Sequence, residues 1–181
     1  LLEQIELLAK SAIGRQIMKG NVPQNVQEFR ELVPLTNYHD YISFLSDKRE
    51  DILPCKPQIW ARTSGRSLEF DYKWVPYSPR MAEVVGEFGI ASFILASCSG
   101  RGDIRLNVDD HCLYTLAPPP YFTGAVVAEA VKEQLNPIFI PPLEKGNEMT
   151  FEERIREGFK LALKSNIDLF YGLSSVLVKI A

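Results

Sequence analysis

The clearest structural signal in this chain lies in residues 112–140, CLYTLAPPPYFTGAVVAEAVKEQLNPIFI. Cys112 to Leu116 is a β-rich run, residues 121–135 are helical in composition, and Pro137 to Ile140 is a second short apolar run. A strand, a helix and a second strand in this order predict parallel strands, because strands that are joined by a helix enter the sheet in the same direction.

The alternation continues toward the end of the chain. Thr150 to Lys164 has helical periodicity, Leu169 to Tyr171 is another apolar run, and Ser174 begins a further helical stretch. Thr150 and Glu153 fit a capping box, and the charged residues that follow them predict a solvated helix face. The repeated β–α order predicts an α/β fold, with helices packed on the faces of a mixed or parallel sheet.

The first third of the chain is predominantly helical. Residues 1 to about 18 predict an amphipathic helix, and residues 24–31 predict a short one. Thr36 or Asn37 can cap a third helix that runs to about Ser46. We therefore expect a helical N-terminal segment over residues 1–53.

The pattern changes at Pro54. Short extended runs at 58–62 and 72–77 predict two strands that are joined by a long polar loop. A long helix is predicted from Pro79 to about Gly100, with proline at an early position where its missing amide is harmless. Residues 54–181 then form an incomplete α/β subdomain, which we expect to share one structural domain with the helical segment.

The composition is that of a globular protein. The chain has 181 residues, of which 46% are hydrophobic, and a formal charge of −3, whereas disordered chains combine low hydrophobicity with high net charge. The slight acidity argues against a nucleic-acid partner, and no apolar run has the length of a membrane span. The odd number of cysteines, Cys55, Cys98 and Cys112, favours reduced thiols in a cytoplasmic protein. The isolated His39 and His111 lack the spacing of a metal site.

Residues 60–73 contain the pattern with the most chemical content. The run WARTSGRS, from Trp60 to Ser67, places hydroxyls and a glycine in the turn between the two predicted strands, and Lys73 returns on the second strand. Such a turn exposes backbone amides and hydroxyl donors that hold phosphate oxygens. An ordinary hairpin loop uses the same residue types, so both interpretations remain open on composition.

Several segments together resemble the N-terminal part of the adenylate-forming enzymes. They are Ala9–Arg15, AKSAIGR; Phe29–Tyr41, FRELVPLTNYHDY; the loop Thr63-Ser64-Gly65; and Lys73–Pro76, KWVP. Within that superfamily the chain is similar to the plant auxin-type acyl-acid amido synthetases and to the bacterial acyl-protein synthetases, with phenylacetate–CoA ligase as a further relative. The order and spacing of the motifs match over roughly residues 9–80.

The resemblance implies an ATP-dependent ligase that activates a carboxylic acid. In such enzymes the carboxylate attacks the α-phosphate of Mg-ATP, which gives an acyl-adenylate and pyrophosphate, and the acyl group then passes to a thiol, such as coenzyme A, or to an amine. The implied cofactors are therefore ATP and Mg²⁺, and the implied partner is a small carboxylic acid. The residues implied to hold the nucleotide phosphates are Thr63, Ser64, Gly65, Arg66, Ser67 and Lys73.

Two later segments are similar to parts of the acyl pocket in these enzymes. The run YFTG, Tyr121–Gly124, matches a Phe-Thr-Gly turn that opens a helix, and LFYGLSS, Leu169–Ser175, is similar to a strand, turn and helix that read Gly-x-Pro-Ser. Each segment is equally consistent with an aromatic turn in the core. The residues implied to bind substrate are Tyr121, Phe122, Gly124, Tyr171 and Gly172, and no residue is assigned a catalytic role.

The loop departs from the family pattern, which leaves two functions open. A second glycine is absent after Gly65, Arg66 replaces a small hydroxyl residue, and Glu69 and Asp71 place negative charge where phosphates would approach. The alternative to the enzyme is a non-catalytic interaction or regulatory domain that kept the scaffold without nucleotide binding. Because the chain lacks an initial methionine and stops in a helical stretch, we expect a fragment that does not complete the reaction alone.

Overall fold

A computed structural model describes residues 1–63 and 72–180 of the chain. The chain divides into two compact units, a first unit over Leu1–Ser78 and a second unit over Pro79–Ala181. The boundary that we predict after residue 53 falls inside the first unit. The strands on either side of the predicted phosphate loop therefore belong with the helical segment.

The first unit combines short helices with one hairpin. The two strands that the sequence predicts are Ile59–Arg62 (β1) and Trp74–Tyr77 (β2). They pair antiparallel, with Ile59 opposite Tyr77 and Arg62 opposite Trp74. Asn37 caps the turn that follows it, because its side chain accepts the His39 amide at 2.9 Å. The elements are α1 (Leu2–Ala9), α2 (Ala12–Ile17), α3 (Val26–Leu32), a 3₁₀ turn at Tyr38–Asp40, α4 (Ile42–Leu45), a 3₁₀ turn at Glu50–Ile52, β1 (Ile59–Arg62) and β2 (Trp74–Tyr77).

The single helix that we predict over residues 1–18 is wrong, because the chain breaks between α1 and α2. The Ser11 hydroxyl donates to the Leu8 carbonyl at 2.8 Å and accepts the Gly14 amide at 3.0 Å, so Ser11 caps a new helix. A Cβ atom on Gly14 would lie 2.0 Å from the Leu8 carbonyl oxygen. A serine cap and a close backbone approach at glycine, which apolar spacing does not reveal, therefore set this boundary.

The second unit contains a three-stranded sheet in which β3 pairs in parallel with β4 and with β5. The predicted α/β class and the parallel strands are thus confirmed, as is the capping box, in which the Glu153 amide donates to the Thr150 hydroxyl at 3.2 Å. The sequence does not predict α7. The elements are α5 (Pro79–Ser97), β3 (His111–Tyr114), a π-helical turn at Thr123–Val127, α6 (Ala128–Gln134), β4 (Ile138–Ile140), α7 (Leu143–Glu148), α8 (Phe151–Ala162), β5 (Leu169–Tyr171) and α9 (Ser174–Ile180).

The strand order is β4-β3-β5, with the first of the three strands in the centre. Cys112 of β3 lies opposite Phe139 of β4 on one side and opposite Leu169 of β5 on the other. The chain therefore leaves β3 toward one side and later crosses to the other. A reversal of this kind opens a crevice at the carboxyl ends of the strands that flank it, and α/β proteins bind their ligands there.

Helices cover both faces of the sheet. On one face, Tyr114 is fully buried in a core with Phe93 of α5 and Val131 of α6. On the other face, Leu113 packs on α8, where its Cδ1 atom would lie 3.1 Å from a Cβ on Gly158. This arrangement leaves the two ends of the sheet, rather than its faces, as the places where side chains of several elements can meet.

Candidate functional site

The base of the predicted phosphate loop lies at the end of the β1–β2 hairpin where the loop joins the two strands. The Thr63 amide donates to the Lys73 carbonyl at 2.9 Å, and the Lys73 amide donates to the Thr63 hydroxyl at 3.0 Å. This pair continues the hydrogen bonding of the two strands by one residue, so Thr63 and Lys73 lie side by side. The other predicted phosphate ligands, Ser64, Gly65, Arg66 and Ser67, lie outside the described residues.

Tyr38 joins the Phe29–Tyr41 motif to the second strand of the hairpin. The Trp74 amide donates to the Tyr38 hydroxyl at 3.1 Å, and this hydroxyl lies 3.4 Å from the Trp74 carbonyl oxygen. The Lys73 ammonium lies 5.3 Å from the centre of the Tyr38 ring. Burial raises the pKa of Tyr38, so the phenol keeps its proton. Two motifs that are far apart in the sequence therefore meet beside Lys73.

Basic side chains lie on aromatic rings across the hairpin. The Lys48 ammonium lies 3.5 Å from the centre of the Trp74 ring, and the Arg62 guanidinium carbon lies 4.9 Å from the centre of the Tyr72 ring. Together with Lys73, they give the base of the loop a positive field that attracts anions. Sequence reasoning missed Lys48, because it lies far upstream and has no local motif.

The predicted acyl-pocket residues Phe122 and Tyr171 both pack against the core that contains Tyr114. The ring of Tyr171, at the end of β5, lies 5.7 Å from the ring of Tyr114. The Tyr114 hydroxyl donates to the Thr123 carbonyl at 2.6 Å, which ties the Tyr121–Gly124 turn to the end of β3. Phe122 packs against the same core. Tyr114, which the sequence does not single out, is therefore the centre of this cluster.

The two predicted glycines occupy places without room for a side chain. A Cβ atom on Gly124 would lie 2.4 Å from the Pro118 carbonyl carbon, and one on Gly172 would lie 2.1 Å from the Thr115 hydroxyl oxygen. Tyr121 belongs to the same turn as Gly124, since its amide donates to the Pro118 carbonyl at 3.1 Å. Packing alone therefore requires glycine at both positions.

The prediction that the charged residues of α8 face the solvent is wrong for Arg154. Its side chain is 0% exposed. Its Nη1 atom donates to the Leu116 carbonyl at 3.1 Å, and its guanidinium carbon lies 5.3 Å from the centre of the Tyr114 ring. The sequence does contain a signal for this burial: Arg154 lies three residues after Phe151 and four before Gly158, on the face that packs against the sheet.

Cys112 is a buried thiol at the centre of the sheet, and it gives a direct chemical test of this core. Burial raises its pKa to about 12, so at pH 8 roughly one thiol in ten thousand is ionised. Because the thiolate is the reactive form, we expect a thiol reagent to label the half-buried Cys55 and Cys98 in the native chain and Cys112 only after unfolding. Mass spectrometry of the labelled peptides measures this, and rapid native labelling of Cys112 would contradict the packing.

Comparison with protein-family models, with curated proteins and with solved structures finds no match to this chain. In the described ranges, 1–63 and 72–180, no group of three or more histidine, cysteine and acidic side chains is arranged to hold a metal ion. None of the helices in these ranges combines the length and the apolar character that crossing a bilayer requires. The loop base of the hairpin and the aromatic cluster around Tyr114 are therefore the two candidate sites.

Proposed function

We propose that this chain forms part of an ATP-dependent enzyme that activates a small carboxylic acid as an acyl-adenylate and then passes the acyl group to a thiol or an amine. One observation carries the proposal. The Phe29–Tyr41 and Lys73–Pro76 motifs, which resemble segments of adenylate-forming enzymes, meet through Tyr38 and Trp74 at the base of the loop. Motifs that serve one site are expected to meet in space, whereas motifs that match by chance are not.

The hairpin would hold the nucleotide phosphates. Lys73 supplies positive charge at the loop base, where Lys48 and Arg62 strengthen the field. The Thr63 hydroxyl accepts from the Lys73 amide, so its own proton can be donated to a phosphate oxygen. Charge-assisted hydrogen bonds of this kind fix the position of a phosphate and stabilise the charge that develops during its transfer.

We propose that Mg²⁺ binds at this site only together with the nucleotide. Mg²⁺ is usually bound by one or two carboxylates together with substrate phosphates, and the described residues provide no group of three or more side chains for a metal ion. Glu69 and Asp71 lie in the loop sequence outside the described residues, and no metal ligand is assigned to them. A metal ion bound with the nucleotide would offset the repulsion between these carboxylates and the phosphates.

The acid would bind at the carboxyl end of the second unit's sheet. The Tyr171 ring lies beside Tyr114 there and Phe122 packs against the same core, and aromatic residues of this kind suit an aryl or acyl group. Gly124 and Gly172 let the neighbouring chain pack closely beside these rings, and Tyr121 belongs to the turn of Gly124. In this proposal coenzyme A, an amine or a protein thiol accepts the acyl group.

Nucleotide binding by the chain, together with a Lys73→Ala variant, tests the hairpin. We expect a non-hydrolysable ATP analogue with Mg²⁺ to bind, and we expect the loss of one charged hydrogen-bond donor in Lys73→Ala to weaken binding about tenfold. Isothermal titration calorimetry measures both. Lys56→Ala, which removes an exposed lysine shortly before β1, is the matched control and should bind normally.

Two results of this titration would contradict phosphate binding by the hairpin. If the unmodified chain binds no nucleotide, or if Lys73→Ala binds as well as Lys56→Ala does, the hairpin does not hold phosphates. The non-catalytic interaction or regulatory domain, which differs from the enzyme in lacking nucleotide binding, would then be the function to pursue.

A further inference from the structure

We infer that the crevice between the carboxyl ends of β3 and β5 binds a small oxyanion, with the Thr115 hydroxyl as its direct hydrogen-bonding partner and Arg154 as its counter-charge. The inference goes beyond the proposed function, which places nucleotide phosphates on the hairpin of the first unit and an apolar acyl group at this edge. It depends only on the second unit.

The strand order indicates where the oxyanion binds. The order β4-β3-β5 makes the connections reverse between β3 and β5, and ligands of α/β proteins bind at the carboxyl ends of the strands that flank such a reversal. Thr115 directly follows β3, and Gly172 directly follows β5. The Thr115 amide donates to the Tyr171 carbonyl at 3.0 Å, which holds the two strand ends together beneath the crevice.

Thr115 has an unused hydroxyl at this place. Its side chain is 0% exposed, and Oγ1 has no hydrogen-bond partner among the residues that the structure describes. A buried hydroxyl without a partner costs roughly 1–3 kcal/mol, so such groups are normally satisfied by protein, water or ligand. Gly172 lies next to this oxygen and has no side chain that could bond to it. A Cβ at this position would lie 2.1 Å from the oxygen.

Arg154 brings a buried positive charge to the same strand end. In the described part of the chain its polar partners are neutral: the Leu116 carbonyl at 3.1 Å and the Asn147 side-chain oxygen at 3.5 Å. Its Nε atom is buried and has no partner there, and burial lowers the pKa of its guanidinium. A buried charge without an opposite charge is unfavourable, and an anion one residue away along the strand would compensate it.

The ligand chemistry follows from these groups. A hydroxyl donor with a nearby guanidinium suits the oxygen atoms of a carboxylate or of a phosphoryl group. The carboxylate of an acid substrate and a phosphate share this chemistry, and a titration with each of them separates the two sources.

Anion titrations of the full chain test the inference at constant ionic strength, with chloride as the reference ion. We expect inorganic phosphate or benzoate to bind saturably and to raise the midpoint of thermal unfolding, because a ligand of the native state stabilises it. Thr115→Val and Arg154→Gln should each weaken this binding about tenfold. Arg156→Gln removes an exposed charge from the same helix and should leave it unchanged.

Thr115→Val also has a signature that a purely structural role would not give. Removing an unsatisfied buried hydroxyl is neutral or stabilising, so in chloride alone the variant should unfold at the same temperature as the unmodified chain or higher, while it loses the response to the anion. The comparison of Thr115→Val with the unmodified chain remains valid even if Arg154→Gln does not fold. A lower midpoint in chloride would show that the hydroxyl has a partner and would overturn the inference.

Further outcomes decide against the site. If neither phosphate nor benzoate binds saturably, or if Thr115→Val binds the anion normally, the inference is wrong. If Lys73→Ala abolishes the response and Thr115→Val keeps it, the anion binds at the hairpin, which would support the proposed function and exclude this site. Loss of the response in Thr115→Val with an unchanged response in Lys73→Ala supports the site, whatever the nucleotide titrations show.

Discussion

Replacing Tyr114 by alanine is expected to destabilise the second unit by about 4 kcal/mol, the middle of the range for truncating a buried aromatic side chain. Tyr114 is 0% exposed. Its ring lies 5.5 Å from that of Phe139 and 5.7 Å from that of Tyr171, and its hydroxyl donates to the Thr123 carbonyl. The substitution removes the ring contacts and the hydrogen bond together. Since domains are stable by only roughly 5–15 kcal/mol, a large fraction of the unit's stability would be lost.

Urea denaturation followed by far-UV circular dichroism measures this effect. Tyr114→Phe keeps the ring and removes only the hydrogen bond to Thr123, so we expect it to cost about 1 kcal/mol. Phe88→Ala is the control for aromatic truncation, because Phe88 is 72% exposed on α5 and should change the free energy of unfolding by less than about 0.5 kcal/mol. Equal losses in Tyr114→Ala and Phe88→Ala would show that Tyr114 is not the centre of the core.

Replacing Gly124 by alanine is expected to cost about 3 kcal/mol, although it adds a single methyl group. The new Cβ would lie 2.4 Å from the Pro118 carbonyl carbon, 2.5 Å from the Pro119 nitrogen and 2.6 Å from the Ala117 carbonyl oxygen. All three are backbone atoms, so no side chain can rotate away, and the loop before the π-helical turn must move. Forcing atoms into a packed interior typically costs roughly 1–3 kcal/mol, and rigid neighbours place this substitution at the upper end.

Gly100→Ala is the matched control for Gly124→Ala, because a Cβ on Gly100 would meet no atom within 4 Å. The same denaturation experiment should find it close to the unmodified chain. If the turn at Gly124 also shapes the acid pocket, Gly124→Ala should weaken binding of a carboxylic acid under conditions where the variant is still folded. A Gly124→Ala variant as stable as Gly100→Ala would contradict the close approach of the Ala117–Pro119 backbone.

Much of the local structure could be predicted from the sequence, because short-range chemistry determines it. The long helix from Pro79, the capping box at Thr150 and the alternation of strand and helix after residue 111 all follow from periodicity, caps and proline positions. The helix break at Ser11 could not be predicted in the same way. The apolar spacing continues across it, and the competing serine cap becomes decisive only when α2 packs closely on α1.

Some residues of the candidate sites could likewise be predicted from the sequence, and others could not. The sequence singles out Thr63 and Lys73 through a motif, and Tyr171 and Gly172 through a similar one. It does not reveal that Tyr38 contacts Trp74, that Tyr114 lies among the acyl-pocket residues, or that Thr115 is buried without a hydrogen-bond partner. Each of these facts depends on residues that are far apart in the chain, and no local pattern encodes such a pairing.

The amino-acid sequence by itself therefore determined the class of the fold, since hydrophobic periodicity and β–α order act over a few residues at a time. Only the tertiary structure decided the order β4-β3-β5 and, with it, which strand ends flank the reversal of the connections. The burial of Arg154 also depends on the tertiary structure. A charged residue is expected at the surface because burying it costs free energy, and only the packing of α8 on the sheet, with the Leu116 carbonyl within reach, holds it inside.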